Sequence, residues 1–431
     1  MFGVFILKIF RFTIYFIIFL FFNCQIVLSS INDNDINYTI YQLIFEGEYQ
    51  TAKELLLKEI NVNPTDLNTV YMLGTVNYNL NNYNQAGNNF SHILTIDTCN
   101  TRAYEMLAKI YTKTGRYRKA ENILKKAIQL DTSNFSLKKD LAEILYQMGK
   151  YQESGTLFSE LINFKNQPTW YLYYMHGLCN LKQDEIENAI SSLKHAVVLD
   201  SMNVKIKYTI GKAYYIKEEY VTSLIYCNQG LMLDSLHFNL NKLKGDILYL
   251  RQQYVQAIHP YTIALKNNPK SLSILKKLGF CYFTAAQYDS AIDTLIEAWK
   301  INDKDPLIVF YLGKCYKEKK ETEKAIEMFE LAAEYSIPDY INGIYIEMGL
   351  CFQEVRDYEN AIKAIKKSLQ FPDSEGIAYY NLANIYYEYY VDKQVALTYY
   401  KKVLNYGLSP VITNFVKKRI TSILEEQHLK Q

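Results

Sequence analysis

The sequence predicts an all-α fold: an α-α superhelix of about eleven two-helix hairpins, closed by a C-terminal capping helix. The first observation behind this is a period. Small residues stand at Gly74, Ala108, Ala142, Gly177, Gly211, Gly245, Gly279, Gly313, Gly349 and Ala383, almost always 34 residues apart. Self-similarity at one fixed spacing marks a repeat array, and a chain of 431 residues is about three times the length of an ordinary domain. The second observation is a partner site. Twelve residues after most of these positions comes another small residue: Ala86, Ala120, Ser154, Ala189, Ser223, Ala257, Ala291, Ala325 or Ala361. Helix axes approach to about 8 Å only where small side chains meet. The third is composition. With 49% apolar residues there is material for a core, whereas Pro 8 and Gly 17 are too few for many short strands or for a disordered chain.

Taken from the amino terminus, residues 1–30 read as a signal peptide or a membrane anchor. Lys8 and Arg11 precede an apolar run from Phe12 to Phe22, within the range of about 7–15 residues for a signal-peptide core. Val27-Leu28-Ser29-Ser30 supplies a small residue for cleavage. A spanning anchor needs about 20 apolar residues, and Asn23, Cys24 and Gln25 interrupt the run. Lipidation of Cys24 is a third reading, since Phe21-Phe22-Asn23-Cys24 resembles a bacterial lipoprotein signal, although Asn23 stands where such signals carry a small residue. The formal charge of +2 comes from 47 basic and 45 acidic residues. Losing Lys8 and Arg11 leaves 45 of each, so no sign excess points to nucleic acid.

Each repeat reads as two amphipathic runs of about a dozen residues. Spacings of three, four and seven place its apolar residues on one face of each run. Gly115, Gly149 or a polar residue separates the runs, and Asp97-Thr98, Asp131-Thr132, Asp200-Ser201, Asn268-Pro269 or Asn302-Asp303 closes the hairpin. Aromatics at Tyr83, Tyr117, Tyr151, Tyr220, Tyr254, Tyr288 and Tyr358 stand three residues before the second small site. Large residues such as Phe90, Leu124, Phe158, Leu193, Tyr261, Leu295 and Phe329 stand four after it.

This pattern resembles the tetratricopeptide repeat. Gly245 to Leu248, Tyr254, Ala257, Tyr261, Ala264 and Pro269 stand at that family's signature positions within one unit. The expected units are 33–66, 67–100, 101–134, 135–169, 170–203, 204–237, 238–271, 272–305, 306–341, 342–375 and 376–409. The first keeps Gly47, Tyr49, Ala52 and Pro64 but has Ile40 at its small site, and atypical terminal repeats are expected. Residues 410–431 follow as the capping helix, with Ile412, Phe415, Val416, Ile420, Ile423 and Leu424 as its apolar stripe.

Little in the chain points to catalysis, a metal or a cofactor. Cys179, Cys281, Cys315 and Cys351 share one slot, two residues after the small site, where Cys serves as a small hydrophobe. The six histidines show no H-E-x-x-H spacing, and no G-x-S-x-G, G-x-G-x-x-G or P-loop motif occurs. The expectation is therefore a non-enzymatic protein without cofactors or metal.

The resemblance places the concave face on the first helix of each unit, at slots three before, one after and four after the small site. Those slots hold Tyr71, Tyr78, Tyr146, Tyr174, Tyr208, Tyr215, Tyr249, Phe280, Phe283, Phe310, Tyr380 and Tyr387. Among them stand Lys109, Lys139, Lys212, Lys242, Lys276, Lys314 and Lys317. Tyrosine is a good interface anchor, so these residues are candidates for partner binding; the alternative, left open by the residues alone, is that the rings fill the tight inner curve. The Lys/Asn/Arg set with which chaperone-docking relatives hold a terminal carboxylate is not reproduced across consecutive repeats. The expected function is an exported, non-enzymatic interaction scaffold that binds a peptide or helix of another protein in its groove, with no nucleic-acid partner. The alternative is an assembly or secretion accessory factor of the cell envelope, tethered to a membrane through residues 1–30.

Overall fold

The computed structural model describes residues 36–62, 65–164, 168–335, 338–371 and 375–428. Residues 1–35, and with them the expected leader and Cys24, lie outside the described residues. Among those described there are helices and no strands. The order is α1 (Ile36–Glu46), α2 (Tyr49–Val62), α3 (Leu67–Asn79), α4 (Tyr83–Ile96), α5 (Thr101–Lys113), α6 (Tyr117–Leu130), α7 (Phe135–Gln147), α8 (Tyr151–Phe164), α9 (Trp170–Lys182) and α10 (Ile186–Leu199). The chain continues with α11 (Val204–Ile216), α12 (Tyr220–Leu233), α13 (Phe238–Leu250), α14 (Tyr254–Asn267), α15 (Leu272–Thr284), α16 (Tyr288–Trp299) and α17 (Pro306–Glu318). It ends with α18 (Thr322–Tyr335), α19 (Pro338–Glu354), α20 (Tyr358–Ser368), α21 (Glu375–Tyr389), α22 (Gln394–Val403) and α23 (Pro410–His428). Two compact units divide the chain, residues up to 196 and residues from 197 onward. In both, helices pack on their neighbours in sequence, and first helices such as α3 and α5, or α15 and α17, also touch the first helix of the next hairpin. This is the all-α solenoid class read from the period.

The hairpin crossing is built from the small sites. At Gly74, Gly177, Gly245, Gly279, Gly313 and Gly349 an added Cβ would come within 2.4–2.8 Å of the side chain sixteen residues on: Phe90, Leu193, Tyr261, Leu295, Phe329 and Ile365 respectively. Gly211 differs, because its partner is the smaller Cys227 and the nearest atoms are 3.6 Å away. The second small site is sealed, with Ala86, Ala120, Ala189, Ala257, Ala291, Ala325 and Ala361 all at 0% exposure. Where that site is serine the hydroxyl finds an acceptor across the crossing. Ser154 Oγ donates to the Ala142 carbonyl at 2.7 Å and Ser223 Oγ to that of Gly211 at 2.6 Å. A buried hydroxyl without such a partner would be costly.

The turn inside the hairpin is left-handed at one fixed slot. Gly47, Gly115 and Gly149 have φ of +82°, +71° and +77°, and Asn81, Asp184, Glu218, Gln252, Ala286, Lys320 and Arg356 hold φ between 56° and 63° at equivalent positions. The turn then closes as a helix C-cap, with Gly115 N–H donating to the Thr112 carbonyl and Arg116 N–H to that of Tyr111. Between hairpins the link caps the next helix. Asn100 and Asn134 accept from the amides of Ala103 and Leu137, while their own amide groups donate to Asp97 and Asp131.

Candidate functional site

The candidate ring positions are all half-buried, and the reason lies in the hairpin turn. Five of them touch the turn tyrosine or its equivalent five residues later. Tyr78 meets Tyr83 at 5.7 Å between centroids, Tyr146 meets Tyr151 at 5.4 Å, Tyr215 meets Tyr220 at 5.9 Å, Tyr249 meets Tyr254 at 5.4 Å and Phe283 meets Tyr288 at 6.1 Å. At these five positions the candidate ring and the structural ring are in contact, so the turn holds one side of the candidate ring. The remaining candidates have other neighbours. Tyr71 lies edge-on to Phe90, Tyr174 against Trp170 and Tyr208 against His237. Tyr380 packs against Phe415 of α23, and Tyr387 lies under Arg419, so these two hold the C-terminal helix in place.

In the second unit the rings of α13, α15 and α17 form a continuous ladder. Tyr249 contacts Phe280 at 5.6 Å, Phe280 contacts Tyr311 at 5.1 Å, and Tyr311 contacts both Phe283 and Phe310. The lysines around the ladder are tied to acids. Lys242 and Lys277 both bind Asp246, at 2.7 and 2.6 Å, and Tyr261 donates its hydroxyl to the same carboxylate at 2.8 Å. Burial works against the Asp246 charge, but the Lys242 and Lys277 hydrogen bonds outweigh it and hold the carboxyl below its ordinary range. Lys276 binds Asp305, and Lys314 and Lys317 share Glu347. Apart from Lys242–Asp246, which lies within α13, these links join one hairpin to the next, and all of them occupy the ammonium groups. Lys212, by contrast, is exposed and makes no ion pair among the described residues.

The first unit contains an open cleft on its first-helix side. A cleft of about 560 Å³ opens along α3, α5 and α7, lined by Tyr78, Ala108, Lys109, Thr112, Lys113, Tyr117, Asp140, Glu143, Ile144 and Gln147. Its helices present these side chains because the spacings of three and four keep one face of each turned to the same side. Lys109 is bound to Glu105 at 2.6 Å. Glu143 receives Lys139 at 3.3 Å and the Tyr171 hydroxyl at 2.8 Å. Asp140 Oδ2 is buried without a hydrogen-bond partner among the described residues. Burial pushes its carboxyl up to about 6, with the Lys109 charge pulling the other way. Asp140 was not among the sequence candidates. Its signal is its slot, two residues before the small site, where Met72, Met106 and Met175 stand in nearby repeats.

The cysteines sit in the packing. Cys179, Cys227, Cys281, Cys315 and Cys351 are free and wholly buried, whereas Cys99 is free and exposed. Burial pushes the thiols of Cys227, Cys281, Cys315 and Cys351 up to about 12. Among the described residues no group of three or more His, Cys, Asp or Glu could hold a metal ion, and no helix is long and apolar enough to cross a membrane.

Two family models, each described as a tetratricopeptide repeat, match residues 111–172 and 309–335. The chain is a tetratricopeptide-repeat protein. No curated protein matches it in sequence. Among solved structures it is similar to a tetratricopeptide repeat protein from Parabacteroides merdae, at 14% identity and a TM-score of 0.41, over 58% of this chain and 98% of that one. It is also similar to yeast Tom70, at 14% identity and a TM-score of 0.38, over 92% of this chain and 96% of the other. A third is the Cut9–Hcn1 hetero-tetramer of APC/C, at 13% identity and 0.39, over 91% and 97%. A tetratricopeptide-repeat array is a scaffold of the kind that mediates protein–protein interaction.

Proposed function

We propose that this tetratricopeptide-repeat protein is an exported, non-enzymatic scaffold that seats an extended peptide or a helix of another protein against its first-helix face. The observation that carries the reading is the cleft along α3, α5 and α7, where three consecutive first helices leave about 560 Å³ beside half-buried tyrosines and paired charges. Rings with one face packed and a polar tip free are good anchors, since little freedom is lost on binding. Export is supported by Lys8 and Arg11 ahead of the Phe12–Phe22 run.

Gln147 is exposed and lines the cleft, so Gln147→Trp fills the space without touching the core. Partners captured by the intact chain from the envelope fraction are expected to be lost from this variant at an unchanged melting temperature. Undiminished capture would move the binding face elsewhere. Amino-terminal sequencing of the native protein is expected to begin near Ser30 in a soluble fraction outside the cytoplasm. An intact amino terminus in the membrane fraction would favour the tether instead.

A further inference from the structure

The cleft contains one carboxylate, Asp140, that makes no hydrogen bond or ion pair among the described residues. Glu143, which lines it, is met by Lys139 and by the Tyr171 hydroxyl, and Glu105 behind it is met by Lys109. Asp140, which lines the cleft beside Glu143, has one carboxylate oxygen, Oδ2, buried with no hydrogen-bond partner among the described residues. A half-buried carboxylate with one unpaired, sealed oxygen costs the fold stability. The carboxyl group nevertheless lines the cleft, so a cation seated there would offset that cost.

We propose that Asp140 receives a cationic side chain, a lysine ammonium or an arginine guanidinium, carried by a peptide seated in the cleft. This rests on the peptide-binding reading above and adds to it a charge requirement at one position. The surroundings suit such a group. Tyr78 and Tyr117 line the same space, and aromatic faces accept both the apolar stem and the charge of a long cation. Lys109 and Lys113 line the cleft too, so further cations beside the first are repelled. Charge-assisted hydrogen bonds are about twice as strong as neutral ones, and they strengthen where water is excluded.

The proposal has a pH signature. The groups that act on Asp140 are Lys109 and Glu105 from α5, and Lys139 and Glu143 from its own helix; Asp140 in turn acts on Tyr171 of α9. Their sum with burial leaves the carboxyl near 6. It is therefore mostly ionised at pH 7 and mostly neutral at pH 5, and affinity for a cation should fall about tenfold between them.

The test uses the full chain and pools of N-acetylated tetrapeptide amides, free of histidine, in which one position is fixed as Lys, Arg, Glu or Leu. Binding is read by fluorescence polarisation at pH 7 and pH 5, on the parent and on Asp140→Asn. The expected result is that Lys and Arg pools bind the parent at least tenfold more tightly than Leu pools at pH 7. That preference should shrink about tenfold at pH 5 and be absent from the variant at both. Pools that bind without cation preference, or a preference that survives Asp140→Asn, would overturn the proposal and leave the groove reading standing. No binding of any pool to the parent would bring down both. The pH comparison on the parent does not depend on the variant folding.

Discussion

Two glycines at equivalent places should respond to alanine with opposite signs. In Gly245→Ala the new Cβ would lie 2.6 Å from two ring carbons of Tyr261. That ring cannot swing aside cheaply, because it is wholly buried and its hydroxyl is fastened to Asp246, which also holds Lys242 and Lys277. Overpacking of this kind costs about 1–3 kcal/mol, against a gain of about 1 kcal/mol from alanine's better helix propensity. The net expectation is a loss of up to about 2 kcal/mol. In Gly211→Ala the nearest atoms are 3.6 Å away, an ordinary contact, so only the propensity gain of up to about 1 kcal/mol remains. Because stability in a repeat array is local, hydrogen exchange is the assay: amides of α13 and α14 should exchange faster in Gly245→Ala, and those of α11 and α12 slower in Gly211→Ala. Shifts of the same sign in both variants would refute the crossing argument.

Asp140 sits on the destabilising side of linkage. Its folded carboxyl lies near 6, above the ordinary value of 3.8, so its protonated form favours the fold and that stability is lost as pH rises from about 4 through 6. Discounted for partial exposure, Asp140→Asn should raise the unfolding free energy by about 1–2 kcal/mol at pH 7 and by almost nothing at pH 4; equal urea-midpoint shifts at both pH values would contradict this. At the turn, Ala286 holds φ of +56° and Gly115 +71°. Ala286→Gly is expected to stabilise, and Gly115→Ala to destabilise, each by about 1 kcal/mol in thermal or chemical melts, whereas unaltered melts would mean the turns relax freely.

The array was legible because its signal is one-dimensional. A spacing of 34 and a second small residue twelve positions later place Gly245 opposite Tyr261 without any coordinates. The turn slot was only partly visible, since Gly115 and Gly149 announce a left-handed residue while Ala286 and Lys320 occupy the same conformation without the side chain that signals it. Lys276, Lys314 and Lys317 stood among the groove candidates, and their ion pairs were not visible because the acceptors stand about a repeat away in sequence, Asp305 for Lys276 and Glu347 for Lys314 and Lys317. Such pairs meet only when hairpins stack. Asp140 escaped for a related reason: its isolation is a property of what its neighbours on α5 and α9 leave unsatisfied, which no local pattern records.

The buried thiols give the chain an internal clock of its own opening. Cys227, Cys281, Cys315 and Cys351 lie in separate hairpins, each sealed and with its thiol held near 12, so at neutral pH the reactive thiolate is essentially absent from the folded state. An alkylating reagent meets each sulfur only when that hairpin comes apart. Cys99, exposed from the outset, sets the rate of an unprotected thiol in the same molecule. The order in which the others are modified is then a record of where the array loosens first, written by the protein with no engineered label.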